Sequence, residues 1–237
     1  MLIMKGTLYL IPNSLGTDDP GIFLPPSVRN LIPELRYFIV ENRRNARRYL
    51  KRVDRSVDID RLTFFELNKH TPPREIPSFL HPLHEGHPVG MISEAGLPGV
   101  ADPGAVVVRL AHEAFVPVKP LTGPSSLMLA LMASGLNGQS FRFTGYLPVK
   151  RGERIKAIKE LEQRARKQHE TQIFIETPYR NEALLEDILA SCHGATNLCI
   201  AVDLTLDGEM IKTQPIGKWK KKKPALHKRP AVFLIGI

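Results

Sequence analysis

Apolar positions along the chain fall into two kinds of pattern. Thr7–Pro12 (TLYLIP), Tyr37–Val40, Phe64–Phe65, Val89–Ser93 and the short Val116–Val118 are continuous apolar runs of strand length. Between them, Asn42–Val53 and Gly104–Ala114 have helical spacing. In the first of these, Ala46, Tyr49, Leu50 and Val53 stand at i, i+3, i+4 and i+7 and make one apolar stripe. Continuous apolar strands alternating with helices of this length predict βαβ units, a parallel sheet and right-handed crossovers. The composition then shifts: residues 117–124 hold three prolines and a glycine. A boundary placed there gives an N-terminal α/β domain over residues 1–119 and a C-terminal α/β domain over 120–237. In the second half Phe141–Gly145, Gln172–Glu176, Leu198–Val202 and Ala231–Gly236 read as strands, and Ser125–Ser134, Glu153–Lys167 and Asn181–Ser191 as helices. There is no internal repeat, and the lysine run at 220–223 is the one low-complexity feature.

The fourth strand runs into SEAGLPGVADPG (Ser93–Gly104), a segment too rich in glycine and proline to continue as strand or helix. In an open parallel sheet ligands bind beyond the carboxyl ends of the strands. Glycines there let a ligand approach the main chain, and prolines hold the loop rigid. Glu94 is placed to accept hydrogen bonds from a ligand's hydroxyls or amine. Asp102-Pro103 reads as a helix start, with Asp as N-cap and Pro at the first helical position.

With 43% hydrophobic and 24% charged residues among 237, the chain is of globular composition. MLIMKGTLYLIP, interrupted by Lys5 and Gly6, lacks the features of a targeting signal, and no apolar run reaches the length of a membrane span. The expectation is a cytoplasmic protein with no membrane partner. Cys192 and Cys199 are read as ordinary thiols, since Cys192-His193 has no second Cys/His pair at ligand spacing, and no metal is expected. No G-x-x-x-x-G-K-[ST], G-x-G-x-x-G or G-x-S-x-G is present, so nucleotide-phosphate and serine-hydrolase chemistry lose their signatures.

Four more strand ends run into compact turns in the same way. They are Glu41-Asn42-Arg43-Arg44, Leu121-Thr122-Gly123-Pro124-Ser125-Ser126, Glu176-Thr177-Pro178-Tyr179-Arg180 and Asp203-Leu204-Thr205. As an ordered set these resemble the tetrapyrrole-methylase-type, or class III, S-adenosylmethionine-dependent methyltransferases. The branch most similar is the small-subunit ribosomal RNA methyltransferases that 2′-O-methylate a cytidine of 16S RNA. That branch reads S-D-A-G-T-P-x-x-x-D-P-G against Ser93–Gly104, P-G-P-S-A against Thr122–Ser126, E-S-P-H-R against Glu176–Arg180 and F-x-G-F-L-P against Phe143–Pro148. Its E-D-T-R matches Glu41–Arg44 in part. Here Glu94 stands for an Asp, Asn42 for an Asp, and Asp203 for the Glu of E-L-T.

The resemblance implies two α/β domains, the first with a mainly parallel sheet and the second with a mixed one, a cofactor cleft between them, and a homodimer. It implies S-adenosylmethionine as cofactor, held by Pro12, Ser93, Glu94, Gly96, Leu97, Val100, Ser125, Ser126, Tyr179, Leu204 and Thr205. A ribose hydroxyl is a weak nucleophile at neutral pH, so a carboxylate acceptor beside it is expected. Glu41, Glu176 and Asp203 occupy suitable family positions, and Glu176 is favoured because it ends a strand beside Tyr179 and Arg180.

The charge pattern bears on the acceptor. Thirty-three Lys and Arg against twenty-four Asp and Glu leave a formal charge of +9. One cluster lies along the Asn42–Val53 helix, with Arg43, Arg47 and Lys51 in one column and Arg44, Arg48 and Arg52 in another. A second runs from Lys150 to Lys167, and a third is Lys218-Trp219-Lys220-Lys221-Lys222-Lys223. Trp219 either stacks on an unpaired base or covers the edge of the last strand. Together with the resemblance, these clusters favour RNA as the partner, with Arg43, Arg44, Arg47, Arg48, Lys150, Arg151 and Arg180 as expected contacts. Two other readings stand beside it: a methyltransferase of the same fold acting on a tetrapyrrole or another small or protein acceptor, and a nucleic-acid-binding protein that has lost turnover.

Overall fold

The structure, a computed structural model, describes residues 4–237. The chain divides into two compact units, the first ending at Ser125 and the second spanning Ser126–Ile237.

The first unit is built on five strands: β1 (Leu8–Ile11), β2 (Tyr37–Val40), β3 (Thr63–Glu66), β4 (Val89–Ile92) and β5 (Val118–Pro120). They pair in the order β3-β2-β4-β1-β5, every pair parallel. A parallel sheet is covered on both faces, which is why these strands read as continuous apolar runs. Alternate residues divide between two cores. Ile11, Phe38, Val40 and Ile92 pack with Ala46, Tyr49 and Leu50 of α3 (Arg43–Val53), whereas Leu8, Ile39, Val89 and Met91 pack with Val107 and Ala111 of α5 (Ala105–Glu113). Short helices α1 (Pro20–Phe23), α2 (Pro26–Leu31) and α4 (His81–His84), each with proline in its first turn, complete the cover. The stripe expected on α3 is the buried one, and Asn42 caps that helix by accepting from the Arg44 and Asn45 N–H groups at 2.9 and 3.1 Å.

The expected start of α5 is corrected. The helix begins at Ala105 with Gly104 at the N-cap, not at Asp102-Pro103. Asp102 instead closes the turn before it, one carboxylate oxygen accepting from the Gly99 and Gly104 N–H groups at 2.8 Å each.

The second unit has a mixed sheet of β6 (Phe141–Tyr146), β7 (Thr171–Ile175), β8 (Asn197–Val202), β9 (Met210–Pro215) and β10 (Ala231–Gly236), ordered β6-β7-β10-β8-β9. Only the β6–β7 pair is parallel. Four helices accompany it: α6 (Ser126–Ser134), α7 (Arg151–Gln168), α8 (Asn181–Ser191) and α9 (Ile216–Lys221). Strand β9 was not expected from the sequence. MIKTQP is an edge strand without a fully buried residue, and its sequence lacks the unbroken apolar run that marks the central strands.

Two buried features tie this unit together. Trp219 is 3% exposed within the core and donates its indole N–H to the Leu198 carbonyl at 2.9 Å. It covers sheet and offers no face to a base, which corrects the stacking alternative. Asp187, with a side chain 3% exposed, receives Arg154 through Nη2 at 2.6 Å and Nε at 2.8 Å. Arg151 reaches its other oxygen at 2.9 Å.

Candidate functional site

In the first sheet Ile11 is level with Ile92, and Ile92 with Val40. Pro12, Ser93 and Glu41, each one residue further on, therefore emerge side by side at the carboxyl edge. β4 lies between β1 and β2 although it follows both in sequence, so its loop leaves the sheet where the winding reverses, the place at which open α/β sheets bind ligands. Side chains fasten that loop to its neighbours. The Asn13 N–H donates to the Gly96 carbonyl at 2.8 Å, and Asn13 Nδ2 donates to the carbonyls of Ser93 and Glu94 at 2.8 and 3.1 Å. Asn45 Nδ2 donates to Glu94 Oε2 at 2.5 Å, and Tyr49, buried below, donates its hydroxyl to the Pro12 carbonyl at 2.7 Å. Gly123 lies so close to Pro12 that a Cβ on it would stand 2.1 Å from the proline ring, which brings the Thr122–Ser125 turn onto the end of β1.

Of the residues expected at the cofactor, the first unit thus gathers Pro12, Ser93, Glu94, Gly96 and the turn leading to Ser125 at one edge. Glu94 is exposed, Val100 is 45% exposed and Leu97 is half-buried. Ser126 begins α6 in the second unit. Asn13 and Asn45, the residues that hold this loop, were not expected. Asn13 directly after a strand was its own signal, since Asn readily closes turns on its neighbours.

Glu41 accepts from the Glu94 N–H through Oε1 at 3.1 Å. Burial, with the Asp102 and Glu94 carboxylates nearby, holds its carboxyl above the ordinary value, although the Glu94 N–H works against the shift. Asp102 is pushed up by burial as well, with the Gly104 and Gly99 N–H groups opposing. A carboxyl raised in the folded state contributes stability that is present below its unfolded value and lost as pH rises through the folded one. Glu41→Gln keeps the acceptor for Glu94 and removes the charge. It should raise the melting temperature at neutral pH by a degree or so, and the advantage over the parent should vanish near pH 4.5. Thermal melts at the two pH values check this, and a variant that melts lower at neutral pH contradicts it.

In the second unit the carboxyl ends of β7 and β8 lie along one edge, joined by the segment entering β10. The Lys228 N–H donates to the Pro178 carbonyl at 3.2 Å, Arg229 Nε to Asp203 at 2.7 Å, and Asn181 Nδ2 to the Arg229 carbonyl at 2.6 Å. Tyr179 is 73% exposed, with Lys228 Nζ 6.0 Å above its ring, while Leu204 is buried. Asp203 and Thr205 have φ of 49° and 71°. A β-branched residue in that region is strained, and such strain gathers where a turn serves a ligand. Thr205 Oγ1 is buried without a hydrogen-bond partner, as are Asn181 Oδ1 and Glu176 Oε2.

Glu176 sits differently from what a base at the acceptor needs. Its side chain is wholly buried, and Oε1 accepts from the Thr177 N–H at 2.7 Å and from Arg180 Nη2 at 2.6 Å. Asp203 is likewise taken by Arg229. Arg180, expected to face RNA, is the ion-pair partner of Glu176. Other expected RNA contacts are partly engaged within the chain: Arg43 with Glu66, Arg47 over the Phe64 ring at 5.8 Å, Lys150 with Glu153 and Arg151 with Asp187. Arg44 and Arg48 are exposed and have no ion pair among the described residues. Among the described residues no group of three or more His, Cys, Asp or Glu could hold a metal ion, and no helix is long and apolar enough to cross a membrane.

No family model matches the chain. Curated proteins do. A ribosomal RNA small subunit methyltransferase I of Streptococcus pyogenes serotype M6 is 34% identical over 203 residues, which is 85% of this chain and 66% of that protein. One from Micromonospora olivasterospora is 35% identical over 205 residues, 86% and 61% respectively. One from Escherichia coli O157:H7 is 34% identical over 174 residues, 72% and 59%. The chain thus matches about two thirds or less of the length of these relatives. Among solved structures, the methyltransferase CobJ superimposes with a TM-score of 0.62 at 16% identity, over 98% of this chain and 93% of its own. A uroporphyrin-III C-methyltransferase from Thermus thermophilus, solved with S-adenosyl homocysteine, gives 0.55 at 17% identity over 98% and 97%. At such identities these structures establish the fold.

Proposed function

The chain belongs to the tetrapyrrole-methylase-like methyltransferase family, as a homologue of the proteins named ribosomal RNA small subunit methyltransferase I, and from that premise we propose that it transfers a methyl group from S-adenosylmethionine to a ribose 2′-hydroxyl of ribosomal RNA. The observation that carries the reading is the SEAGLPG loop, fastened at the carboxyl edge where the first sheet reverses its winding. The groups there suit the cofactor's chemistry. Glu94 offers an exposed carboxylate to hydroxyls or an ammonium, and Leu97 and Val100 offer apolar surface; within the second unit, Thr205 has a buried hydroxyl with its hydrogen-bonding capacity unspent. Pro12, Ser93, Gly96, Ser125 and Ser126 are the further proposed cofactor contacts, with Tyr179 and Leu204 from the second unit.

When bound, the cofactor supplies an electrophilic methyl carbon. The protein's part is to align the hydroxyl and exclude water from it, a positioning effect, and to accept the hydroxyl's proton. We assign that proton to Glu41. It ends β2 level with Ser93, its second oxygen has no hydrogen-bond partner among the described residues, and its raised pKa suits an acceptor, whereas Glu176 is sealed against Arg180. On this assignment Glu41→Gln lowers turnover by about 10²–10⁴. Arg44 and Arg48, unengaged on one column of α3, are the proposed phosphate contacts. A homodimer and a cytoplasmic setting belong to the same reading.

The test is calorimetric titration with S-adenosylhomocysteine, followed by transfer of labelled methyl from S-adenosylmethionine to small ribosomal subunits. One-site saturable binding and label in a ribose support the reading. No binding at millimolar ligand overturns it, and binding with label on a tetrapyrrole instead moves the chain to the other acceptor class. Arg44→Glu with Arg48→Glu should weaken RNA binding about tenfold or more and make the log–log salt dependence shallower by about 1.4, the share of two phosphate contacts on a single strand. An unchanged slope would mean that this face of α3 is only solvated.

A further inference from the structure

Strand β6 is an edge of the second sheet, paired on one side only, and α7 runs beside it. Between them lies a groove of about 420 Å³. Its floor is apolar, formed by Leu147, Ala157 and Leu161. Three cations line it: Arg142 from the strand, and Arg164 and Lys167 from the last turns of the helix. None of the three has an ion pair or side-chain hydrogen bond among the described residues, although carboxylates elsewhere on α7 are used, Glu162 by Arg166 and Glu153 by Lys150. Glu160 is the one acidic residue in the lining, which leaves the groove at +2.

We propose that this groove seats a single-stranded segment of the RNA substrate, with an unpaired base or ribose on the apolar floor and its flanking phosphates on Arg142, Arg164 and Lys167. The inference rests on the RNA reading above and adds a second, separate contact surface to it. Several features converge. The volume falls in the range of sites that enclose one small organic group, about 300–1,000 Å³. Guanidinium planes both stack on bases and fork onto phosphates, and arginine supplies two of the three cations. Charge also decides between occupants. A second copy adding its own β6 to this edge would bring another Arg142 onto the paired strands and a second +2 groove beside the first, and like charges close together across a strand pair are destabilising. A polyanion gains where a second copy loses. The alternation of the strand places Arg142 and Thr144 on the same side, toward the helix, so cation and floor belong to one surface.

The test uses the full chain and a fluorescently labelled oligouridine RNA, with anisotropy read across a salt series. Arg142→Gln, Arg164→Gln and Lys167→Gln together should weaken binding about tenfold or more and make the log–log salt slope shallower by about 2, as three lost phosphate contacts require. Ala157→Leu, which raises the floor without touching charge, should weaken binding several-fold at an unchanged slope, and this separates a seat for a nucleotide from a merely basic face. If the parent binds the RNA and both variants match it in affinity and slope, the groove proposal falls while the RNA reading stands. If the parent itself does not bind RNA, the RNA reading falls and takes the groove with it. If RNA affinity holds and the variants instead change the sedimentation coefficient, the groove seats a second copy and the proposal is overturned.

Discussion

Asp187→Ala will lower the melting temperature of the second unit by ten degrees or more. Arg154 is buried in the unit, with a side chain 9% exposed, and two of its nitrogens end on Asp187. Its third nitrogen donates to the Val149 carbonyl at 2.8 Å, so the guanidinium is fully engaged and cannot turn to water without unpacking the start of α7. Removing one partner of such a pair leaves a buried charge uncompensated and costs about 3–5 kcal/mol. A domain of roughly a hundred residues loses about 4–8 °C for each kcal/mol. The pair is not thereby a source of net stability, because burying both ions was itself costly. Replacing both, Asp187→Leu with Arg154→Met, should recover most of the loss. Melts of the single and double variants decide it: a single variant within two degrees of the parent would show that Arg154 finds another partner or reaches solvent. Arg151, which shares Asp187 but is mostly exposed, should contribute little when removed.

Gly96→Val will weaken S-adenosylhomocysteine binding by about 30-fold or more while leaving the fold in place. Space is not the obstacle, since a Cβ at this position would meet Leu15 Cδ2 at 3.4 Å and the Pro124 carbonyl at 3.6 Å, both tolerable. Conformation is the obstacle. Gly96 has φ of +66°, a region that costs an ordinary residue about 1–2 kcal/mol and a β-branched one more. The carbonyl of Gly96 takes the Asn13 N–H, so relaxing its backbone pulls the loop off the end of β1. About 2 kcal/mol of misplacement is roughly a 30-fold change in affinity. Gly96→Ala should lose less, which gives a graded series. Undiminished binding in the valine variant, with a melting temperature near the parent's, would remove the loop from the cofactor site.

The architecture of the first unit was legible because a buried parallel sheet imposes an unbroken apolar run on each strand, and α3 shows its buried stripe in the spacing of Ala46, Tyr49 and Leu50. That β1, β2 and β4 end level was not legible, since strand length does not fix register; it follows from the pairing that sets Ile11, Ile92 and Val40 abreast. β9 escaped because MIKTQP has only two adjacent apolar residues, Met210 and Ile211, before Lys212, and no alternation to mark it. The start of α5 was misplaced because Asp-Pro is locally a good cap, but the two glycine N–H groups that Asp102 satisfies come together only when the loop folds back on itself.

Charge shows the same division more sharply. The sequence by itself determined that the chain is basic, which segments carry the excess, and which helix faces could display it, because these follow from composition and a period of 3.6 residues. It did not determine which cations remain available. Arg43 meets Glu66, Arg151 meets Asp187 and Arg180 meets Glu176, and two of these three partners lie more than twenty positions away. Trp219, framed by lysines, could by sequence either stack on a base or cover a strand edge, and only its indole bond to the Leu198 carbonyl in the core decided between them. Local pattern governs which elements form, since propensity and periodicity act over a few residues. Burial and pairing of polar groups depend on what long-range packing brings within 3 Å. Only the tertiary structure therefore decided that Arg44, Arg48, Arg142, Arg164 and Lys167 are left without ion-pair partners among the described residues.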